Sequence, residues 1–171
     1  CALFALGSSV RADDDNVTPE QVREPFVAAM AAVAASPFPP AGGDSEALQR
    51  YPLYPYLQAA RLSRHLALVR PVTTQPGGDP RLPLDDEIAA FLAQQGDRPV
   101  TRKLRSAWLT HLAERQAWPT YLAQYREDRD TQSTLRCHWL AARVALGQTD
   151  GLEAELTDTW VTAGSLPDAC D

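Results

Sequence analysis

A chain of 171 residues, 44% of them hydrophobic, is long enough to bury one core or a row of small ones. Its net charge of −6 excludes the basic face that a nucleic-acid partner would want. Fifteen of the sixteen basic residues are arginine, Lys103 being the exception; scattered as they are, they read as compositional bias rather than as a phosphate site.

The chain opens on an apolar run, Cys1 to Gly7, followed by Ser8-Ser9-Val10-Arg11-Ala12 and then the acidic Asp13-Asp14-Asp15. Small or apolar residues stand at the −3 and −1 positions of a cleavage site after Ala12. Residues 1–12 are therefore expected to be the remnant of a secretory signal peptide, and residues 13–171 the N-terminal part of a helical domain. A lipid anchor on Cys1 fits less well, because the apolar run continues beyond the cysteine. Nothing else in the chain is long and apolar enough to span a bilayer. If Cys1 leaves with the signal, Cys137 and Cys170 remain as an even pair in an oxidising compartment.

Helical punctuation then recurs. Thr18-Pro19-Glu20-Gln21 has the form of a capping box, with Thr18 as N-cap, Pro19 at N1 and Gln21 at N3. It opens a helix carrying Val22, Phe26, Met30 and Val33 that stops before Pro37. The cap accounts for Thr18, so the Asn16-Val17-Thr18 sequon is set aside. Ser36 to Gly43 reads as a Pro/Gly loop, and Asp44 or Ser45 can cap a short helix ending at Tyr51. Pro55 suits N1 of a helix bearing Leu57, Ala60, Leu62, Leu66 and Val69, closed by Pro71. Pro71 to Pro83 is the longest weakly patterned segment and is expected to be exposed.

Asp85 is expected to cap a helix through Ile88, Phe91 and Leu92 ending at Gly96. Pro99 opens the next, with Leu104, Trp108 and Leu112 on one face. Trp118, Leu122 and Tyr125 mark a short helix. Thr131 or Ser133 starts one carrying Leu135, Trp139 and Leu146, stopped by Gly147. Asp150 and Glu153 form a second capping-box pattern before a helix through Leu152, Leu156 and Trp160, with Gly164 and Pro167 ending it. No stretch alternates convincingly over strand length. The expected fold is all-α, a solenoid or superhelix of short antiparallel helices with tetratricopeptide-like hairpins.

Candidate chemistry is sparse. Tyr51-Pro52-Leu53-Tyr54-Pro55-Tyr56-Leu57 offers either an aromatic surface for sugar rings, with Tyr51, Tyr54 and Tyr56 as possible glycan contacts, or a rigid corner whose tyrosines pack inward; the corner is the favoured reading. Trp108, Trp118, Trp139 and Trp160 fall on apolar faces and suit core packing. His65, His111 and His138 share no ligand spacing, so no metal or cofactor site is expected. Glu114, Glu127 and Asp128 read as solvated charges. A disulfide between Cys137 and Cys170 is expected, the chain doubling back after the Gly164/Pro167 turn to tie the last helix to its antiparallel neighbour.

The tyrosine corner from Tyr51 to Leu57 resembles a segment near the start of mature soluble lytic murein transglycosylases of Gram-negative bacteria. So does the block from Arg102 to Tyr125, with Leu104-Arg105, Trp108-Leu109, Leu112-Ala113, Arg115, Trp118 and Tyr121-Leu122 in step. Trp160, Thr162, Gly164-Ser165, Pro167 and Ala169-Cys170-Asp171 are similar to the end of the same region. The resemblance implies a U-shaped superhelical region followed, in the full protein, by more helices and a lysozyme-like catalytic domain. Such enzymes cleave the MurNAc–GlcNAc bond of peptidoglycan in the periplasm: one glutamic acid protonates the leaving oxygen and the MurNAc 6-hydroxyl closes a 1,6-anhydro ring. The family's catalytic Glu-Ser motif has no counterpart in this chain, so the segment alone is expected to be inert, with no catalytic residue of its own. The competing expectation is a free-standing exported helical-repeat adaptor for a protein partner.

Overall fold

A computed structural model of the chain describes residues 18–70, 81–162 and 170. The described residues form eight helices and no strand: α1 Pro19–Ala32, α2 Glu46–Gln49, α3 Tyr54–Leu68, α4 Pro83–Gln95, α5 Pro99–Glu114, α6 Trp118–Gln124, α7 Ser133–Ala145 and α8 Leu152–Thr162. The all-α expectation holds. The segment 1–17, most of the Pro71–Pro83 stretch and the Gly164/Pro167 turn lie outside the described residues.

The helices pack in a row. The odd-numbered helices α1, α3, α5 and α7 touch in succession, while α4 lies against α3 and α5, α6 against α5 and α7, and α2 against α1. Substantial helix–helix contact therefore reaches only one or two places along the chain, as expected where no single helix can bury its face alone. Two cores result. A small one joins Val22, Phe26, Val33, Leu48 and Leu57 of the first three helices and their loops. A larger one runs from Leu66 through Ile88, Leu104, Trp108, Leu112 and Tyr121 to Leu135 and Ala142.

Several element starts follow the sequence closely. Gln21 Oε1 accepts from the Thr18 N–H at 2.8 Å at the start of α1, as the capping box requires. Ser45 caps α2, its Oγ accepting from Leu48 N at 3.3 Å. Other details differ. The α3 helix starts at Tyr54, which puts Pro55 second rather than first. The α7 helix does begin at Ser133, one of the two starts read from the sequence, with Gln132 before it. Gly151, with φ +72°, rather than Asp150, is the residue before α8. Leu146 ends exposed instead of joining the α7 apolar face, because it falls at the C-cap, where the helical stripe has already stopped.

Asp85 is the largest departure. The α4 helix begins two residues earlier, at Pro83, so Asp85 is not the N-cap but the third helical residue, and it is buried. Its Oδ2 accepts from Leu82 N–H at 2.7 Å, which satisfies a helix-start donor from inside the helix. Pro83 supplies the true start signal.

The C-terminus of α5 shows a second feature. Ala117 N–H bonds to Leu112 O and Gln116 N–H to Ala113 O, both at 2.9 Å, while Gln116 sits at φ +58°. This is a Schellman motif with glutamine at the left-handed position. The α7 helix ends the same way, with Gly147 at φ +69°, Gln148 N–H on Arg143 O and Gly147 N–H on Val144 O. There, glycine fills the place sequence reasoning assigned it.

The Cys137–Cys170 disulfide is present, with a Cα–Cα distance of 5.0 Å. It ties Cys137, one turn into α7, to Cys170 beyond α8. Glu155 of α8 adds ion pairs to Arg136 at 3.3 Å and Arg143 at 2.8 Å on α7.

Candidate functional site

The tyrosine corner is mostly a joint. Tyr51 is half-buried with its ring 5.2 Å from that of Phe26. Tyr54 O–H donates to Asp44 Oδ2 at 2.9 Å, and Arg61 grips both oxygens of the same carboxylate at 2.5 and 2.9 Å. The Arg61 hydrogen bonds, joined by that from Tyr54 and by the Arg61 charge, hold the Asp44 carboxyl below the usual carboxylate range although burial pushes the other way. Tyr56 alone of the three is exposed, at 45%. The structure thus does not bring Tyr51, Tyr54 and Tyr56 together as one open aromatic surface.

The same device recurs twice. Arg105 meets Asp130 with Nε and Nη2 at 2.8 and 2.9 Å and also donates to Gln124 O, while Arg126 N–H donates to Asp130 Oδ2 at 2.7 Å. In the main core, Asp85 Oδ1 accepts from Trp108 Nε1 and from Arg115 Nη2, both at 2.8 Å. Arg115 Nε in turn donates to His111 Nδ1 at 3.1 Å, and His111 Nε2 lies 2.9 Å from Val69 O. An arginine can only donate and a carbonyl only accept, so these partners select the tautomer with its proton on Nε2. The arginines that looked scattered in sequence include three that hold a loop or helix start onto a helix through a buried aspartate. No sequence signal marks these pairs, whose partners stand 17, 25 and 30 residues apart.

Several of the other singled-out residues serve packing, while the Trp160 side chain lies outside the described residues. Trp108 is fully buried, and Trp139 stacks on Tyr125 with Arg136 and Arg143 at 4.9 and 4.8 Å from its ring. His138 packs against Tyr121, and burial lowers its pKa below the ordinary 6.5. His65 lies against Phe38. Glu114, Glu127 and Asp128 are exposed, and Glu127 pairs with Arg136. Among the described residues no group of three or more His, Cys, Asp or Glu could hold a metal ion, and no helix is long and apolar enough to cross a membrane.

Two clefts remain. One, of about 570 Å³, lies beside the Arg105–Asp130 pair and is lined by Asp97, Arg102, Asp128 and Arg129, with the charges nearly balanced. Its Arg129 is held by Asp97 at 2.7 Å. The other, of about 410 Å³, opens between the loop at Pro37-Phe38-Pro39, α3 and α4. Gln58, Leu62 and His65 line it from α3, and Glu87, Phe91 and Gln94 from α4. Sequence reasoning passed over Phe38; the available signal was an aromatic residue between two prolines inside a loop.

No family model matches this chain, and no solved structure matches it. Over 124 residues it is 28% identical to the soluble lytic murein transglycosylase of Salmonella typhimurium, and 27% identical to that of Escherichia coli. The match takes in 72% of this chain but only 17% of either relative. The chain is thus similar to soluble lytic murein transglycosylases, as the corner at Tyr51–Leu57 and the Arg102–Tyr125 block implied, and spans about a sixth of the length of those relatives.

Proposed function

We propose that this chain is the N-terminal helical scaffold region of a periplasmic peptidoglycan lytic transglycosylase, exported through a signal peptide that ends at Ala12. The observation that carries the reading is the likeness to relatives named soluble lytic murein transglycosylase over 72% of the chain. A row of short helices fits a scaffold, and the Cys137–Cys170 disulfide fits an oxidising compartment. The parent enzyme cleaves MurNAc–GlcNAc bonds to 1,6-anhydro products in cell-wall turnover, with its catalytic domain further along the same chain. This segment supports that domain and helps to position the glycan strand, and it is inert by itself.

The full-length protein, incubated with murein sacculi, is expected to release anhydro-muropeptides, and the segment alone to release none above a boiled control. A reading frame that stops near Asp171, with no activity on sacculi, would favour the exported adaptor instead. Mass spectrometry of the periplasmic protein is expected to find Asp13 at the N-terminus; a lipidated Cys1 would overturn the soluble-periplasm assignment.

A further inference from the structure

The cleft between the Pro37–Pro39 loop, α3 and α4 has the composition of a ligand site, and the packing of the chain does not use up its polar groups. Phe38 is a large aromatic side chain left 60% exposed. It is held there on purpose-built geometry: Pro37 is buried and Pro39 follows, each with its backbone φ fixed, and Phe38 N–H is tied to Ser36 Oγ at 3.2 Å. One side of the ring meets His65, with centroids 5.0 Å apart and planes at 68°. The rest faces the cleft.

The far side of that loop is clamped to α3 by the Asp44–Arg61–Tyr54 cluster, and α4 packs against α3. On α3 the lining residues Tyr54, Gln58, Arg61, Leu62 and His65 recur at helical spacing, and on α4 Glu87, Ala90, Phe91 and Gln94 do the same. Leu62 and Phe91 form an apolar floor. Gln58, Gln94 and Glu87 make no hydrogen bond or ion pair with the described residues and stand free around it. An apolar floor and an open aromatic ring, ringed by a few polar groups within about 410 Å³, fall in the ordinary range of small-molecule sites, ~300–1,000 Å³.

The polar groups indicate the class of ligand. A primary amide both donates and accepts, which matches hydroxyl and acetamido groups that do the same. Among the described lining residues the Arg61 guanidinium is committed to Asp44, the His65 ring lies against Phe38, and the Glu87 carboxylate is left free. A carboxylate-bearing stem peptide would meet the like charge of Glu87 there, and the Arg61 guanidinium is already taken by Asp44. A pyranose ring carries C–H groups on its face, which lie well on the electron-rich face of a benzene ring. We infer that this cleft is a subsite for an uncharged N-acetylhexosamine segment of a glycan strand, stacked on Phe38 and hydrogen-bonded by Gln58 and Gln94. The inference rests on the murein reading above and gives the stacking role to Phe38, with Tyr54 of the tyrosine corner in the lining and Tyr51 and Tyr56 outside it.

The test uses the full-length protein, the β-1,4-linked N-acetylglucosamine hexamer as probe, and hydrogen exchange resolved by peptide. The hexamer is expected to slow exchange in peptides covering residues 36–40, 58–65 and 87–94. Phe38→Ala is expected to abolish that local protection and to weaken the binding assigned to it roughly tenfold. Gln94→Ala should weaken it less, and Tyr56→Ala should leave it unchanged. Protection that survives a rise in salt from about 50 to 500 mM marks an uncharged ligand. Phe38 and Gln94 are exposed, so thermal unfolding of both variants should match the parent, and Gln94→Ala decides the matter if Phe38→Ala does not. Protection confined to other segments, no protection at all, or protection by a proline-rich decapeptide in place of the sugar overturns the subsite. Release of anhydro-muropeptides by the same preparation is read separately. Activity without cleft protection sinks the subsite alone, and cleft protection without activity sinks the lytic reading while the sugar site stands.

Discussion

Asp85 shows how one residue can join three elements. Its two oxygens accept from Leu82, Trp108 and Arg115, and through Arg115 and His111 the chain of bonds reaches Val69 at the end of α3. Removing one member strands a buried charge, so Asp85→Ala is expected to cost about 3–5 kcal/mol in urea unfolding. Asp86→Ala, one position on, breaks only the exposed pair with Arg81 and should change stability by less than ~1 kcal/mol. Two other residues shape the acid limb. Burial lowers the His138 pKa below 6.5, so the folded state binds that proton less readily than the unfolded chain. Its contribution is complete above pH 6.5 and is lost as pH falls through the lower folded value. Asp44, lowered below 3.8 chiefly by its hydrogen bonds from Arg61, follows the same sign in a more acid window. His138→Gln should therefore flatten the stability profile just below pH 6.5 and leave the fall below pH 3.8 in place, as measured by unfolding across pH.

At the scale of elements, helix ends carry the information. Gly147 occupies a left-handed C-terminal position that glycine adopts at no steric cost. Gln116 occupies the equivalent position after α5 at φ +58°, where a side chain is strained. Gln116→Gly is accordingly expected to stabilise by about 0.5–1 kcal/mol, since relief of the left-handed strain exceeds the added entropy of the unfolded chain. Chemical denaturation measures this directly, and an unchanged midpoint would mean that the Gln116 side chain contributes a compensating contact. The starts of α1, α2 and α5 were legible because Thr18, Ser45, Pro19 and Pro99 act through their own local chemistry. The start of α4 was misassigned because Asp85, a good cap by type, is drawn inward by Trp108 and Arg115 from another helix. Neither partner is a neighbour in sequence.

For the molecule as a whole, α8 makes none of the substantial helix–helix contacts that link the other described helices. Helix α8 is held by buried Leu152, by Glu155 to Arg136 and Arg143, and by the Cys137–Cys170 bridge beyond its end. The bridge closes a loop across a separation of 33 residues, which in the chain-entropy treatment is worth about 3–4 kcal/mol. The double variant Cys137→Ser with Cys170→Ser is expected to lose that amount. Hydrogen exchange should show α8 opening first while Leu104, Trp108 and Leu112 in α5 stay protected, because contact passes only between near neighbours. Uniform loss of protection would mean that the row unfolds as a single unit.

The sequence by itself determined the helical character of this protein, the apolar faces of α1, α4 and α5, the glycine stop after α7 and the pairing of Cys137 with Cys170. The first three are set by local stereochemistry and periodicity; the pairing was read from the expected loss of Cys1, which leaves two of the three cysteines. The tertiary structure alone decided that Asp44, Asp85 and Asp130 meet Arg61, Arg115 and Arg105, and that Phe38 faces a cleft between α3 and α4. An ion pair depends on where two side chains end in space, and a cleft on what fails to fill it. Charge and apolarity along the chain carry neither, because both arise only when distant segments are brought together.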